Sequence, residues 1–164
     1  MTVIELILKE LQEEAQTTRK MLSRVPFDKF DWKPHSKSMS VKTLATHIAE
    51  LPGWIPMALN TDELDFEAAP YTPTLVSSTN DLLELHEKSL ASAIAGMQAT
   101  NEQILDQPWI LRMGTTILAK TTKLETIRMS QAQIIHHRAQ LGVYLRLLDI
   151  PIPGSYGPSA DESF

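Results

Sequence analysis

The stretch TKLETIRMSQAQIIHHRAQLGVYLRLL, residues 122–148, predicts the longest helix of this chain. Leu141, Tyr144 and Leu148 recur at intervals of three and four residues, which places them on one face of an α-helix. A helix of about 27 residues is roughly 40 Å long. Pro151 and Pro153 follow and prevent the helix from continuing. A helix of this length is typical of a helical bundle, in which long segments pack side by side.

Three further segments carry apolar residues at helical spacing, at residues 2–24, 40–59 and 80–100. Thr2 is the expected N-cap of the first segment, with Glu5 three residues later. Pro52-Gly53 interrupts the second, since proline has no N–H and clashes with the preceding turn. Four such segments predict an all-α fold, a four-helix bundle that forms one domain over residues 1–164.

The segments between the helices differ in character. Two β-prone runs, Trp109–Met113 and Thr115–Ala119, flank Gly114 and predict a short hairpin or irregular insertion before the last helix. Residues 60–78 form a long acidic connection, of a length that is often functional in a small domain. The proline-rich tail, residues 149–164, is expected to dock on the bundle, since its prolines lower the entropy of the unfolded tail.

Composition excludes several classes of protein. The net charge is −5, with 15 basic and 20 acidic residues, which argues against a nucleic-acid partner. The chain has no cysteine, so disulfides, zinc–thiolate sites and a cysteine nucleophile are excluded. No apolar run approaches the roughly 18 residues that a membrane span needs, and no basic, apolar leader precedes the first helix. We therefore expect a cytoplasmic protein with no membrane partner.

Histidines are the candidate chemistry of the sequence. His47 lies at the edge of the inward face of the second helix, between Leu44 and Leu51. In the last helix His137 continues the inward face, and Gln133 projects from the same face one turn earlier. Two facing helices would fix such ligands for a metal ion, although a buried histidine is more often a core residue with a satisfied hydrogen bond.

The other three histidines give weaker signals. His136 points about 100° away from His137, which favours a surface or interface role. His86 lies between Leu83 and Leu90, where packing is the favoured interpretation, and His35 lies in a connection.

Residues near these histidines leave alternatives open. Glu50, three residues after His47, is either a solvated helix-face residue or a contact of the site. Arg138 is expected to pair with an acid or to cap a neighbouring segment. The break at residues 52–53 would open a cleft beside His47 that Trp54 lines. Tyr156 and Asp161 belong to the tail, and we assign no catalytic role to them.

Three stretches resemble a known family. They are DWKPHSKSMSVKTLATHIAELPGW (31–54), QAQIIHHRAQLGVYLRLLDIPIPG (131–154) and YGPSADE (156–162). Together they resemble the DinB-like superfamily, also called DinB/YfiT, which is distinct from the lesion-bypass polymerase of similar name. The resemblance spans nearly the whole chain and implies a four-helix bundle that assembles as a homodimer.

The resemblance also implies a divalent metal, zinc or nickel, held by three histidines. His47 matches the family histidine of the second helix, and His137 matches the later histidine of the last helix. Gln133 stands where the family has the earlier one. Because a neutral amide oxygen is a weak ligand for zinc, we expect weaker binding at His47, Gln133 and His137.

The activity implied by the resemblance is that of a metal-dependent hydrolase or a thiol S-transferase that uses a low-molecular-weight thiol as cosubstrate. The substrate is a small molecule that the sequence does not identify. The alternative is a dimeric stress-response or structural bundle without enzymatic activity, whose metal site is degenerate; Gln133 favours it. A bundle that binds a small apolar ligand is a third hypothesis, based on the methionine and tryptophan content.

Overall fold

Two capping boxes begin the first and last helices. The Thr2 hydroxyl accepts a hydrogen bond from the N–H of Glu5, and the Glu5 carboxylate accepts one from the N–H of Thr2. Thr122 and Glu125 repeat the arrangement before the last helix. Each box satisfies two backbone donors that a helix start leaves without partners. These residues fix the two helix starts within one residue of the positions that the sequence predicts.

In the computed structural model, which describes residues 1–163, the helices follow the predicted order. They are α1 (Val3–Leu22), α2 (Val41–Glu50), α3 (Trp54–Asn60), α4 (Thr79–Ala99) and α5 (Lys123–Leu147). Short 3₁₀ turns occur at Phe27–Lys29, Leu51–Gly53 and Glu102–Ile104. The turn at Leu51–Gly53 separates α2 from α3, so the predicted break at Pro52 is present. Among the described residues, no helix combines the length and apolar character of a membrane span.

The expectation of an all-α chain is wrong, because the protein also contains a three-stranded mixed sheet. Its strands are β1 (Glu63–Asp65), β2 (Pro108–Met113) and β3 (Thr116–Thr122). Strands β2 and β3 form the antiparallel hairpin that Gly114 suggested, with an irregularity between Leu111 and Arg112. Strand β1 lies in the 60–78 connection and pairs with β2 in parallel. The protein is therefore α-helical with a small sheet.

Long-range ion pairing explains why β1 is not visible in the sequence. Two of its three residues, Glu63 and Asp65, are acidic and have low β-propensity. The Arg112 guanidinium on β2 donates to both carboxylate oxygens of Glu63, at 3.0 and 2.6 Å, and lies 3.0 Å from Asp65. The strand thus depends on a partner almost 50 residues away, which local periodicity cannot indicate.

The core consists of two apolar clusters with buried polar residues between them. One cluster contains Met21 and Leu82, and the other contains Ala15 and Leu90. Thr18 on α1 and His86 on α4 each lie between members of the two clusters along their own helix, and both are buried. Gln131 on α5 is also buried between members of the two clusters, which here are Ile127 and Ile134.

The C-terminal tail lies against α1 and α5. Arg138, only 3% exposed, donates to the Thr18 hydroxyl at 3.1 Å and to the Tyr156 hydroxyl at 2.9 Å, and it pairs with Glu14 at 2.7 Å. The Tyr156 hydroxyl in turn donates to Glu14 at 2.7 Å. Asp161 pairs with Arg146 on α5. Arg138 is therefore a structural residue that joins the tail to the bundle.

Candidate metal centre

Helices α2 and α5 bring His47 and His137 together. The two residues are separated by 90 positions in the chain, yet their imidazole centroids lie 4.9 Å apart with the ring planes at 71°. Both side chains project from the packed faces of their helices because α2 packs directly against α5. The convergence of these two histidines, which the helical pattern suggested, is present in the structure.

An open cleft of about 480 Å³ adjoins this pair. Its lining residues come from both helices, from the break after α2 and from strand β2; they are His47, Leu51, Trp54, Leu111, Met129, Ser130, Gln133, His136 and His137. None of these lining residues is acidic. Trp54 therefore lies where the sequence placed it, and the helix break contributes one side of the cleft.

The spacing of the two imidazoles fits a shared cation. With zinc–nitrogen bonds of about 2.0 Å and a tetrahedral angle, the centroids of two ligating imidazoles are roughly 5 Å apart. The separation of His47 and His137 is 4.9 Å. Nδ1 of His137 lies 2.9 Å from the Gln140 side-chain oxygen. When Nδ1 carries the proton, this hydrogen bond leaves Nε2 with a free lone pair for a metal.

The third ligand position is the weak part of the site. Gln133 lines the same cleft one helical turn before His137, but it can offer only a neutral amide oxygen. Within residues 1–163, no group of three or more His, Cys, Asp and Glu residues is arranged to hold a metal ion. The residues present thus fit a cation held by two imidazoles and a weak amide, with its remaining positions open to solvent or substrate.

Burial favours the metal-binding form of His47. Partial desolvation lowers the pKa of the His47 imidazole below its ordinary value, and the facing His137 lowers this pKa further. The Glu50 carboxylate opposes both effects. The imidazole is therefore neutral at pH 7, which is the form that coordinates a metal.

The remaining histidines lie at the cleft, in the core and in the first connection. His136 is exposed, yet it also lines the cleft, and its ring centroid lies 4.9 Å from that of His137. The sequence predicts a surface or interface role for His136, which its exposure supports, but it does not predict that His136 also lines the cleft. His86 is 1% exposed and is one of the buried polar residues between the two apolar clusters, in agreement with the predicted packing role. His35 lies in the first connection, accepts the backbone N–H of Lys37 and is not among the residues that line the cleft.

Sequence reasoning missed Tyr71. This residue lies in the long connection, and its ring centroid is 6.3 Å from that of His47 at an interplanar angle of 75°. Its hydroxyl donates to Glu50 at 2.6 Å. Tyr71 is 55% exposed, but partial desolvation and the hydrogen bond to Glu50 raise the pKa of its phenol above the ordinary value, so it remains a donor at neutral pH. No periodic pattern marks an isolated tyrosine in a loop.

Solved structures with the same fold have little sequence identity to this chain. A DinB-like protein from Bacillus subtilis is 18% identical and has a TM-score of 0.70, with 97% of this chain and 99% of that chain covered. A DinB-like protein from Bacillus cereus is 16% identical and has a TM-score of 0.71, with 93% and 97% covered. At such identities the likeness shows the fold alone.

A third similar structure is that of the mycothiol-dependent maleylpyruvate isomerase. It is 17% identical with a TM-score of 0.61, and the match covers 86% of this chain but only 61% of the isomerase chain. No protein of curated function matches the sequence. The DinB family model matches residues 1–163, almost the entire length. This chain is therefore a member of the DinB family.

Proposed function

We propose that this protein binds one divalent cation, zinc or nickel, between His47 and His137, with Gln133 as a weak third ligand. The observation that carries the proposal is the 4.9 Å separation of the two imidazoles beside an open cleft without acidic lining residues. Neutral ligands leave the cation with its full charge. Such a cation attracts anionic or ionisable groups of a small molecule.

The proposed activity is that of a thiol S-transferase or a hydrolase. A bound cation would lower the pKa of a thiol or a water molecule and so supply a nucleophile at neutral pH. The chain has no cysteine, so the thiol must come from a cosubstrate. The fold that it shares with a mycothiol-dependent isomerase favours the thiol reaction over hydrolysis.

The chain's own residues would bind and orient the reactants. Leu51, Trp54 and Leu111 give the cleft an apolar side that binds hydrocarbon parts of a substrate and excludes water from it. The Gln133 amide can both donate and accept hydrogen bonds, so it orients a polar group that enters the cleft.

The alternative is a structural bundle whose metal site is degenerate. Gln133 favours this alternative, because two imidazoles without a third strong ligand hold a cation less tightly. The two proposals differ in metal content, which is measured first.

Elemental analysis of the tag-free protein tests the site. We expect about one zinc or nickel per chain, lost in His47→Ala and in His137→Ala. His35→Ala is the matched control, since His35 is exposed and does not line the cleft, and it should keep the metal. If the wild type holds no metal and added zinc or nickel raises neither occupancy nor melting temperature, the structural alternative replaces the enzymatic one.

We also propose that the protein is located in the cytoplasm, because the lack of cysteine suits a reducing compartment.

We propose in addition that the protein forms a homodimer through α5. Val143 and Leu147 on α5 are 60% and 58% exposed, and we expect them to be covered by a second copy. Sedimentation should give a dimer for the wild type and for the control Leu6→Asp on α1, but a monomer for Val143→Asp and Leu147→Asp. A monomeric wild type would contradict this expectation.

A further inference from the structure

Glu50 connects the long segment after β1 to helix α2. Its Oε2 accepts the hydroxyl hydrogen bond of Tyr71 at 2.6 Å, and its Oε1 accepts the backbone N–H of Thr74 at 2.7 Å. Glu50 is the last residue of α2, so the acceptor sits on a regular element. Both carboxylate oxygens are thus engaged by residues of the segment 66–78. Glu50 therefore fixes this segment to the bundle, a role that the sequence did not distinguish from a solvated one.

The hydrogen bond to Glu50 fixes the Tyr71 ring beside His47. His47 precedes Glu50 by three residues, so both side chains leave α2 on the same side. The Tyr71 ring meets the His47 imidazole edge to face, with centroids 6.3 Å apart. The His137 ring lies on another side of the same imidazole, with the two centroids 4.9 Å apart. Two rings thus restrict the orientation of His47, one from α5 and one from the 66–78 segment.

We propose that Tyr71 is a positioning residue of the metal site: held by Glu50, its ring keeps the His47 imidazole in the orientation that faces His137. This inference rests on the proposed function. It assigns a role to the long connection, which contributes no ligand of its own to the cleft lining. Groups that hydrogen-bond to a metal ligand and orient it typically change metal affinity by about 10- to 100-fold when they are removed. Tyr71 contacts His47 through its ring and not through a hydrogen bond, so we expect an effect at the lower end of that range.

Calorimetric titration with nickel alone tests the effect on affinity. Tyr71→Ala removes the ring, and we expect nickel to bind about tenfold more weakly than to the wild type, the lower end of the range for groups that orient a ligand. Tyr71→Phe keeps the ring but loses the hydrogen bond to Glu50, so the loss should be smaller. Leu75→Ala is the matched control, because Leu75 lies in the same segment and is 93% exposed. Wild-type affinity in Tyr71→Ala would overturn the proposal.

A metal-free measurement separates this proposal from the proposed function. In the wild type we expect NMR cross-relaxation between the ring protons of His47 and His137, whose centroids are 4.9 Å apart. This signal should disappear in Tyr71→Ala and persist in Leu75→Ala. If the wild type binds no nickel, the metal proposal fails, while loss of the cross-relaxation in Tyr71→Ala still supports positioning. Undiminished cross-relaxation in Tyr71→Ala overturns the positioning role whether or not nickel binds.

Discussion

Position 133 determines how many strong ligands the cleft can offer. Gln133 precedes His137 by one turn of α5 and lines the same cleft. Gln133→His would add a third imidazole on the face that already carries His137. We expect zinc affinity to rise by at least about tenfold. Groups that only orient a ligand already change metal affinity by about 10- to 100-fold, and a direct imidazole ligand contributes more than such a group.

Competition with a chromophoric chelator measures the zinc affinity of this variant. Gln16→His, at an exposed position of α1, is the control for the addition of a histidine anywhere on the surface. Equal affinities in Gln133→His and the wild type would mean that position 133 does not face a cation bound between His47 and His137, and would contradict its place as third ligand.

Arg138 has a structural role, because it joins the C-terminal tail to the bundle. Its side chain is 3% exposed and its partner Glu14 is 19% exposed. Arg138→Met leaves the Glu14 carboxylate without its counter-charge, and we expect the free energy of unfolding to fall by roughly 3 kcal/mol, the lower end for a broken buried pair. Urea denaturation at pH 7 measures this change.

The pair of Arg128 and Glu10 is the matched control for Arg138. These side chains are 54% and 37% exposed, so solvent screens their attraction. Arg128→Met should lower the free energy of unfolding by less than about 1 kcal/mol. Equal losses for the two arginines would show that burial does not strengthen the Arg138 pair.

Among the elements, the helices were predictable from local signals and β1 was not. Capping residues such as Thr2 and the break at Pro52 act within one or two turns, so the sequence alone identifies them. The hairpin was suggested by Gly114 and its flanking β-prone runs. Strand β1 required Arg112 from a distant strand. Tertiary pairing overrode the low strand propensity of its acidic residues.

The hairpin turn gives an element-scale prediction. Gly114 has φ of +55°, a left-handed conformation that costs a residue with a side chain about 1–2 kcal/mol. A Cβ there would also meet the Glu67 carboxylate at 1.8 Å, although that flexible side chain can move. Gly114→Ala should therefore lower the free energy of unfolding by at least about 1 kcal/mol.

Gly53→Ala is the matched control for the hairpin turn and should have the opposite sign. Gly53 has φ of −63° and ψ of −17°, and an added Cβ would meet nothing within 4 Å. Lower unfolded-state entropy should stabilise this variant by about 0.4–1 kcal/mol. Thermal and urea unfolding measure both variants. Loss of stability in Gly53→Ala would mean that residue 53 does not hold the right-handed helical conformation with open space around its Cβ position.

For the whole molecule, the sequence identified the candidate ligands and Trp54 at the cleft, but not the contacts that the long connection makes around His47. His47 and His137 were identifiable because each lies on an inward helix face and matches a family position. The contacts of Tyr71 and Glu50 depend on the path of a long connection, which no periodic pattern specifies. Packing of whole elements therefore determines the surroundings of the site.

Burial of histidines predicts how global stability depends on pH. Desolvation lowers the pKa of both His47 and His86. At His86, the Glu87 carboxylate raises the pKa, while Arg19 lowers it further. Since the folded pKa lies below the unfolded value near 6.5, the unfolded chain binds more protons as the pH falls below that value. The contribution of these histidines to the free energy of unfolding is therefore fully present above about pH 7 and decreases toward pH 5.

The variant His86→Leu tests how much of this decrease in the free energy of unfolding is due to His86. Carboxylates such as Asp81, whose pKa is lowered to about 2 by hydrogen bonds from Ser77, reduce stability only at lower pH. The interval between pH 7 and pH 5 therefore reports mainly on the histidines. Urea denaturation in a chelator, which removes any bound metal, should show a shallower decrease for His86→Leu than for the wild type. An equal decrease in both would mean that His86 is hydrated and free to protonate in the folded bundle, contrary to its 1% exposure.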